Sequence, residues 1–168
     1  VTNSIDLAAV SEDALSLKTM LDGVLERVEN VFASYGVPLP KRRYWTLGTP
    51  AVDCEQLVVF LAQLYLGPPG DQASRPMRCN VPRTAVLSVS VSRAIPTVGT
   101  NGRPPSGDKI ELASQLSAVD IWVLMQSVNL LDTWDDTGYG LGVIATAETA
   151  EPQGGFQTVT LQITMAVP

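Results

Sequence analysis

Hydrophobic positions along this chain follow two rhythms, one helical and one extended. Leu7, Val10, Ala14, Leu17, Leu21, Val24, Val28, Val31 and Tyr35 step by threes and fours, which places them on one face of a helix. Ser11, followed by Glu12 and Asp13, supplies an N-cap with acidic side chains at the positive end of the helix dipole. Gly36 and Pro38 end the helix. So regular a stripe also suits a coiled coil; Gly23 inside it and the strands that follow favour a helix laid on a sheet.

The rhythm then changes. Tyr44, Trp45 and Thr46 read as a short aromatic strand closed by Gly48 and Pro50. The run from Leu57 to Leu66 is apolar on both alternating faces and predicts a central strand covered on both sides. A helix with Leu57, Phe60, Leu61 and Leu64 on one face is the alternative; Val58, Val59 and Phe60 favour the strand. In TAVLSVSVSRAIP, Leu87, Val89 and Val91 alternate with Ser88, Ser90 and Ser92, the period of a half-buried strand. Residues 54–66 and 81–95 are therefore expected to form a long antiparallel pair.

A second helix is expected from Ile110 to Trp134, with a break near Ser117 as an alternative. Ile110, Ala113, Leu116, Val119, Trp122, Met125 and Val128 lie on its core face, and Asp120 and Asn129 face out. Trp122 and Met125 read as core residues rather than a cofactor box. Two strands close the chain, YGLGVIATAET and TVTLQITMAVP. In the second, Val159, Leu161, Ile163, Met165 and Val167 oppose Thr158, Thr160, Gln162 and Thr164. The expected fold is one α+β domain over residues 1–168, with two main helices on a largely antiparallel sheet of about five strands.

Two loops rich in Pro and Gly, residues 67–82 and 96–108, flank the serine-alternating strand and should project from opposite poles of the domain. They carry Arg75, Arg78 and Arg103. A protein that docks on something above and something below has a use for both.

Composition allows a full core, since 45% of the residues are hydrophobic. No stretch reaches the roughly 18 uninterrupted apolar residues of a membrane helix. The N-terminus lacks a signal-peptide pattern, so a soluble product made in the cytoplasm is expected. Cys54 and Cys79 are too few for a disulfide scaffold or zinc site, and a hairpin would hold them at opposite ends; they read as small buried residues, with a disulfide between them as the alternative.

Net charge is -6, and it is segregated. Residues 1–40 hold two basic and six acidic side chains, residues 41–109 nine and four, and residues 110–168 none and seven. A basic middle between acidic flanks suits complementary faces on neighbouring copies; an uneven solvated surface is the plainer reading. Lys41, Arg42 and Arg43 form the only basic cluster in an acidic total, which disfavours a reader of nucleic-acid sequence.

Signs of catalysis are few. The chain has no histidine, which removes the commonest general base and His-dependent triads and metal sites. It carries no G-x-S-x-G, P-loop or G-x-G-x-x-G motif. Asp132, Asp135 and Asp136 are the best candidates for a divalent cation, but their spacing lacks the alternate carboxylates of a calcium loop, and a solvated helix end is the simpler reading. Asp53 and Glu55 read as structural partners for Arg83 or Arg93 on a neighbouring strand. No catalytic residue, metal ligand or cofactor site is assigned.

GTPAVDCEQLVVFLAQLYLGPPG, followed by MRCNVPRTAVLSVSVSRAIP and then DIWVLMQSVNLLDTW, resembles the tail terminator and neck proteins of long-tailed phages of actinobacteria. The likeness spans most of the chain in its order of elements and is sharpest at Asp53, Cys54, the run Leu57 to Val59, Cys79, Pro82 and Arg83. The resemblance implies a non-enzymatic virion subunit that forms a ring, expected to be hexameric, on the last ring of the tail tube. Such a ring stops tube polymerisation and meets the head-side connector, and DNA passes through its lumen without sequence-specific binding. Its partners would be copies of itself, the major tail tube protein and the connector or stopper protein. It would reside in the virion neck, and in host cytoplasm during assembly. Lys41, Arg42, Arg43, Arg75, Arg78 and Arg103 are the expected interface residues. The alternatives are a head-completion or stopper protein of the neck, a small-molecule or metal-binding enzyme domain near Trp122, Trp134 and the Asp132 to Asp136 cluster, and a scaffold that oligomerises through the N-terminal helix.

Overall fold

The computed structural model describes residues 12–67, 83–99, 102–129 and 144–167. Helix α1 (Glu12–Ser34) leads into strands β1 (Arg42–Leu47), β2 (Gln56–Leu66) and β3 (Arg83–Ala94). Helix α2 (Gly107–Asn129) and strands β4 (Ile144–Thr149) and β5 (Phe156–Val167) follow. The strands form one sheet in the order β1-β2-β3-β5-β4, antiparallel throughout except for the parallel pair β1 and β2. This is the expected α+β architecture. Within the described residues, no helix is long and apolar enough to cross a membrane.

Strand alternation divides the sheet into two faces. Leu57 and Val59 of β2, Ala85, Leu87, Val89 and Val91 of β3, and Val159, Leu161, Ile163 and Met165 of β5 share the face on which both helices pack. From α1 come Met20, Leu21, Val24, Val28, Val31 and Phe32, all buried. Each such side chain stabilises the fold by about 1.5–3 kcal/mol through area removed from water. Because its apolar face from Leu17 to Phe32 packs on the core, this described part of α1 is a core helix rather than a coiled-coil strand. The helix closes with a Schellman motif: Val37 N donates to Phe32 O at 3.0 Å and Gly36 N to Ala33 O at 3.1 Å. Gly36 sits at φ 65°, the left-handed position such a cap requires. Leu7, Val10 and the Ser11 cap lie outside the described residues.

Several expectations are corrected. Tyr35 is not core: it is exposed and meets the Trp122 ring edge-on, centroids 4.6 Å apart. On α2, Ile110, Val119 and Trp122 are exposed, whereas Asp120, Val123, Leu124 and Ser127 are buried. Residues 107–112 are all exposed, so the start of α2 runs beyond the core, and its inward face is set by contact with α1 and the sheet rather than by the apolar stripe. The helix continues through Ser117, whose hydroxyl donates to Ala113 O at 3.2 Å. Met125 does pack against the core. Residues 130–143, with Trp134 and the Asp132 to Asp136 cluster, lie outside the described residues.

The hairpin of β2 and β3 is present, with Leu66 opposite Arg83 and Gln56 opposite Ser92. Only the first half of β2 is covered on both sides: residues 56–60 are buried, but beyond a bulge at Leu61/Gln63 the strand emerges, and Leu64 and Leu66 are exposed. Conversely, Ser88, Ser90 and Ser92 are buried rather than solvated. They occupy the central strand, where Ser90 and Ser92 pair with Thr160 (3.0 Å) and Thr158 (2.9 Å).

Candidate functional site

A sheet in this strand order exposes two edges, and the basic cluster lies on one of them. Parallel β1 is edge strand and carrier of Arg42 and Arg43, with Lys41 just before it; all three are exposed. Arg42 points to the face opposite the helices. Its Nη1 donates to Asp53 Oδ1 at 2.7 Å and to the Cys54 thiol at 3.4 Å, and its guanidinium lies 5.0 Å from the centroid of the Tyr44 ring. The Cys54 contact first, and the Asp53 charge second, hold the Arg42 pKa above its ordinary value. Arg43 points to the helix face and pairs with Glu29 of α1, Nε to Oε1 at 3.4 Å. Exposed pairs of this kind are screened by solvent, so they position these arginines more than they stabilise the fold.

The residues that feed β1 into β2 explain the geometry. Because the two strands are parallel, residues 48–55 must return across the sheet, and they do so on the face without helices. Gln56 anchors this crossover by donating from Nε2 to Ala51 O at 2.8 Å, while Tyr44 donates to Gln56 Oε1 at 3.3 Å. Between the crossover and the serine and threonine rows lies a groove of about 360 Å³ lined by Thr49, Phe60, Ser90, Ser92, Thr158 and Thr160 among others. Asp53 and Glu55 sit in the bend before β2, not in a strand. Neither partners Arg93: Asp53 holds Arg42, and Glu55 Oε1 accepts from Ala94 N at 3.1 Å. Cys54 is a half-buried free thiol; Cys79 lies outside the described residues.

Strand β4 forms the opposite edge, with β2, β3 and β5 between it and β1. It carries exposed Glu148, and exposed Glu151 follows in the turn to β5. Lys41, Arg42 and Arg43 thus lie at one edge of the sheet, two of them already paired with Asp53 and Glu29, and Glu148 and Glu151 lie at the other.

Of the expected interface residues, Lys41, Arg42 and Arg43 are brought together. Arg103 stands apart, exposed in the loop between β3 and α2, where Gly99 N donates to Arg103 O at 3.0 Å. Arg75 and Arg78 lie outside the described residues. Glu148 escaped sequence reasoning, although the total lack of Lys and Arg after residue 109 was its signal. Among the described residues no group of three or more Cys, Asp or Glu is placed to hold a metal ion. No protein-family model matches the chain, and neither does any curated protein.

Proposed function

We propose that this chain is a structural subunit of a long-tailed phage virion, a tail terminator that forms a sixfold ring on the end of the tail tube. The ring ends tube polymerisation and joins the tube to the head-side connector or stopper. The observation that carries this reading is the placement of opposite charges on opposite edges of one sheet. A closed ring needs a heterologous contact, in which one surface of each subunit meets a different surface of the next. Like charges disfavour the competing arrangement of two identical edges.

Three further features support it. The segments 67–82 and 95–106 leave opposite ends of β3, as a part held between a tube and a connector requires. The resemblance carried by Asp53, Cys54, the Leu57 to Val59 run, Cys79, Pro82 and Arg83 points to the assembly in which such a part would serve. An acidic chain suits a lumen through which DNA slides, since phosphates gain nothing from carboxylates. The role is non-enzymatic and calls on no cofactor.

Negative-stain imaging of the purified protein tests this. Rings with six subunits and a central hole are expected. Two-fold dimers as the largest species would contradict it.

A further inference from the structure

The two edges complement each other in more than charge. Gly48 N donates to Leu61 O at 3.2 Å, so alternate residues of β1 bond to β2 and the backbone groups of Arg43, Trp45 and Leu47 turn outward. At the other edge, Ala150 N donates to Thr158 O at 2.9 Å; by the same alternation Glu148 and Thr146 bond to β5, and Ala145, Ala147 and Thr149 turn theirs outward. Each edge strand is six residues long, and no strand of the described residues pairs with either edge.

Strand direction decides how they can meet. β1 and β2 run together, β3 opposes them, β5 opposes β3, and β4 opposes β5, so β1 and β4 run in opposite directions. Two copies held in the same orientation, as in any ring, therefore bring β4 of one against β1 of the next as an antiparallel pair.

We propose that β1 of each copy adds to β4 of its neighbour, continuing the sheet across the subunit boundary. This inference rests on the ring reading and supplies its contact. With outward backbone groups matched, Arg43 falls opposite Ala147 and Trp45 opposite Ala145 on the helix face, and Arg42 falls opposite Glu148 on the other face. The alanines leave room for the larger side chains. Arg42 uses Nη1 for both Asp53 and Cys54, and its guanidinium carries further N–H donors for a second carboxylate. A shift by one pairing step sets Lys41 opposite Glu151 instead, with Arg42 diagonal to Glu148, so neighbouring registers also match opposite charges. Pairing β1 with β1, or β4 with β4, would set like charges together.

The test is a directed cross-link in full-length protein with Cys54 and Cys79 replaced by serine. One preparation carries Arg42→Cys, a second Glu148→Cys, and both positions are exposed. The two are oxidised separately and as a mixture, then read on a non-reducing gel beside negative-stain images of the reduced samples. Covalent dimer in the mixture and in neither preparation alone is the expected result. Dimer from Arg42→Cys alone overturns the proposal in favour of identical edges. Rings without cross-link in the mixture overturn edge pairing and leave the ring reading standing. Neither rings nor cross-link overturns both.

Discussion

Arg93 and Asp120 form a bidentate ion pair beneath α2, with Nε to Oδ2 at 2.6 Å and Nη2 to Oδ1 at 2.8 Å. Arg93 Nη2 also donates to Pro38 O at 2.8 Å, so one guanidinium ties β3, α2 and the segment that leads into β1. The side chains are 9% and 1% exposed, which makes the pair costly to break from one side. Asp120→Ala is expected to lower stability by about 3–5 kcal/mol, because it leaves a buried charge unpaired. Replacing both residues, Arg93→Met with Asp120→Leu, is expected to recover most of that loss in urea unfolding.

Asp22 joins α1 to the edge strand: it accepts hydrogen bonds from Lys18 and from Trp45 Nε1. The Lys18 bond is the largest cause that holds its carboxyl below the ordinary 3.8, and the Trp45 bond adds to it against desolvation. A lowered folded pKa stabilises fully above the unfolded value and is lost as pH falls through the folded one. Asp22→Asn should therefore unfold with a shallower dependence on pH below about 4 than the unaltered protein. Urea midpoints measured across the acid range read this directly.

Leu21 is fully buried between α1 and the sheet. Leu21→Ala is expected to cost about 2–5 kcal/mol, and Leu21→Asp to unfold the subunit rather than dissociate an oligomer. Circular dichroism distinguishes the two results.

Gly23 stands in the interior of α1, and a Cβ there would meet no atom within 4 Å. Gly23→Ala should raise stability by about 0.5–1 kcal/mol, since it removes backbone entropy from the unfolded chain without a clash. Thermal unfolding at matched concentration measures it.

Reversal of charge at the basic edge tests the contact from the other side. Arg42→Glu with Arg43→Glu is expected to weaken self-association at low salt by about tenfold or more, with a smaller effect at high salt. Sedimentation at several protein concentrations provides the measurement. Unchanged association would remove the charge-based part of the account.

What the sequence revealed follows from how local each feature is. The core face of α1 from Leu17 to Val31 was readable because one stripe of apolar residues meets one apolar sheet. The face of α2 was not, because Ile110, Val119 and Trp122 keep helical spacing on a side that stays exposed, while Asp120 turns inward. A clue to that reversal was available in β3: Arg93 follows Leu87, Val89 and Val91 on the apolar face, where a charge demands a buried partner. The burial of the serines was not legible because alternation reports two faces without saying whether neighbouring strands and a crossover shield the polar one. The candidate interface was half legible. Lys41 to Arg43 stand out as a cluster, but that β1 and β4 are the two edges depends on β5 inserting between β3 and β4, a non-local pairing with no local signature.

The measurement that tests the central claim most directly is the length of tail tubes assembled from the cognate tube protein with and without this chain. A terminator is expected to bind one tube end as a visible ring and to stop growth there, so tubes become shorter as the chain is added. Tubes of unchanged length, with no added density at either end, would contradict the account.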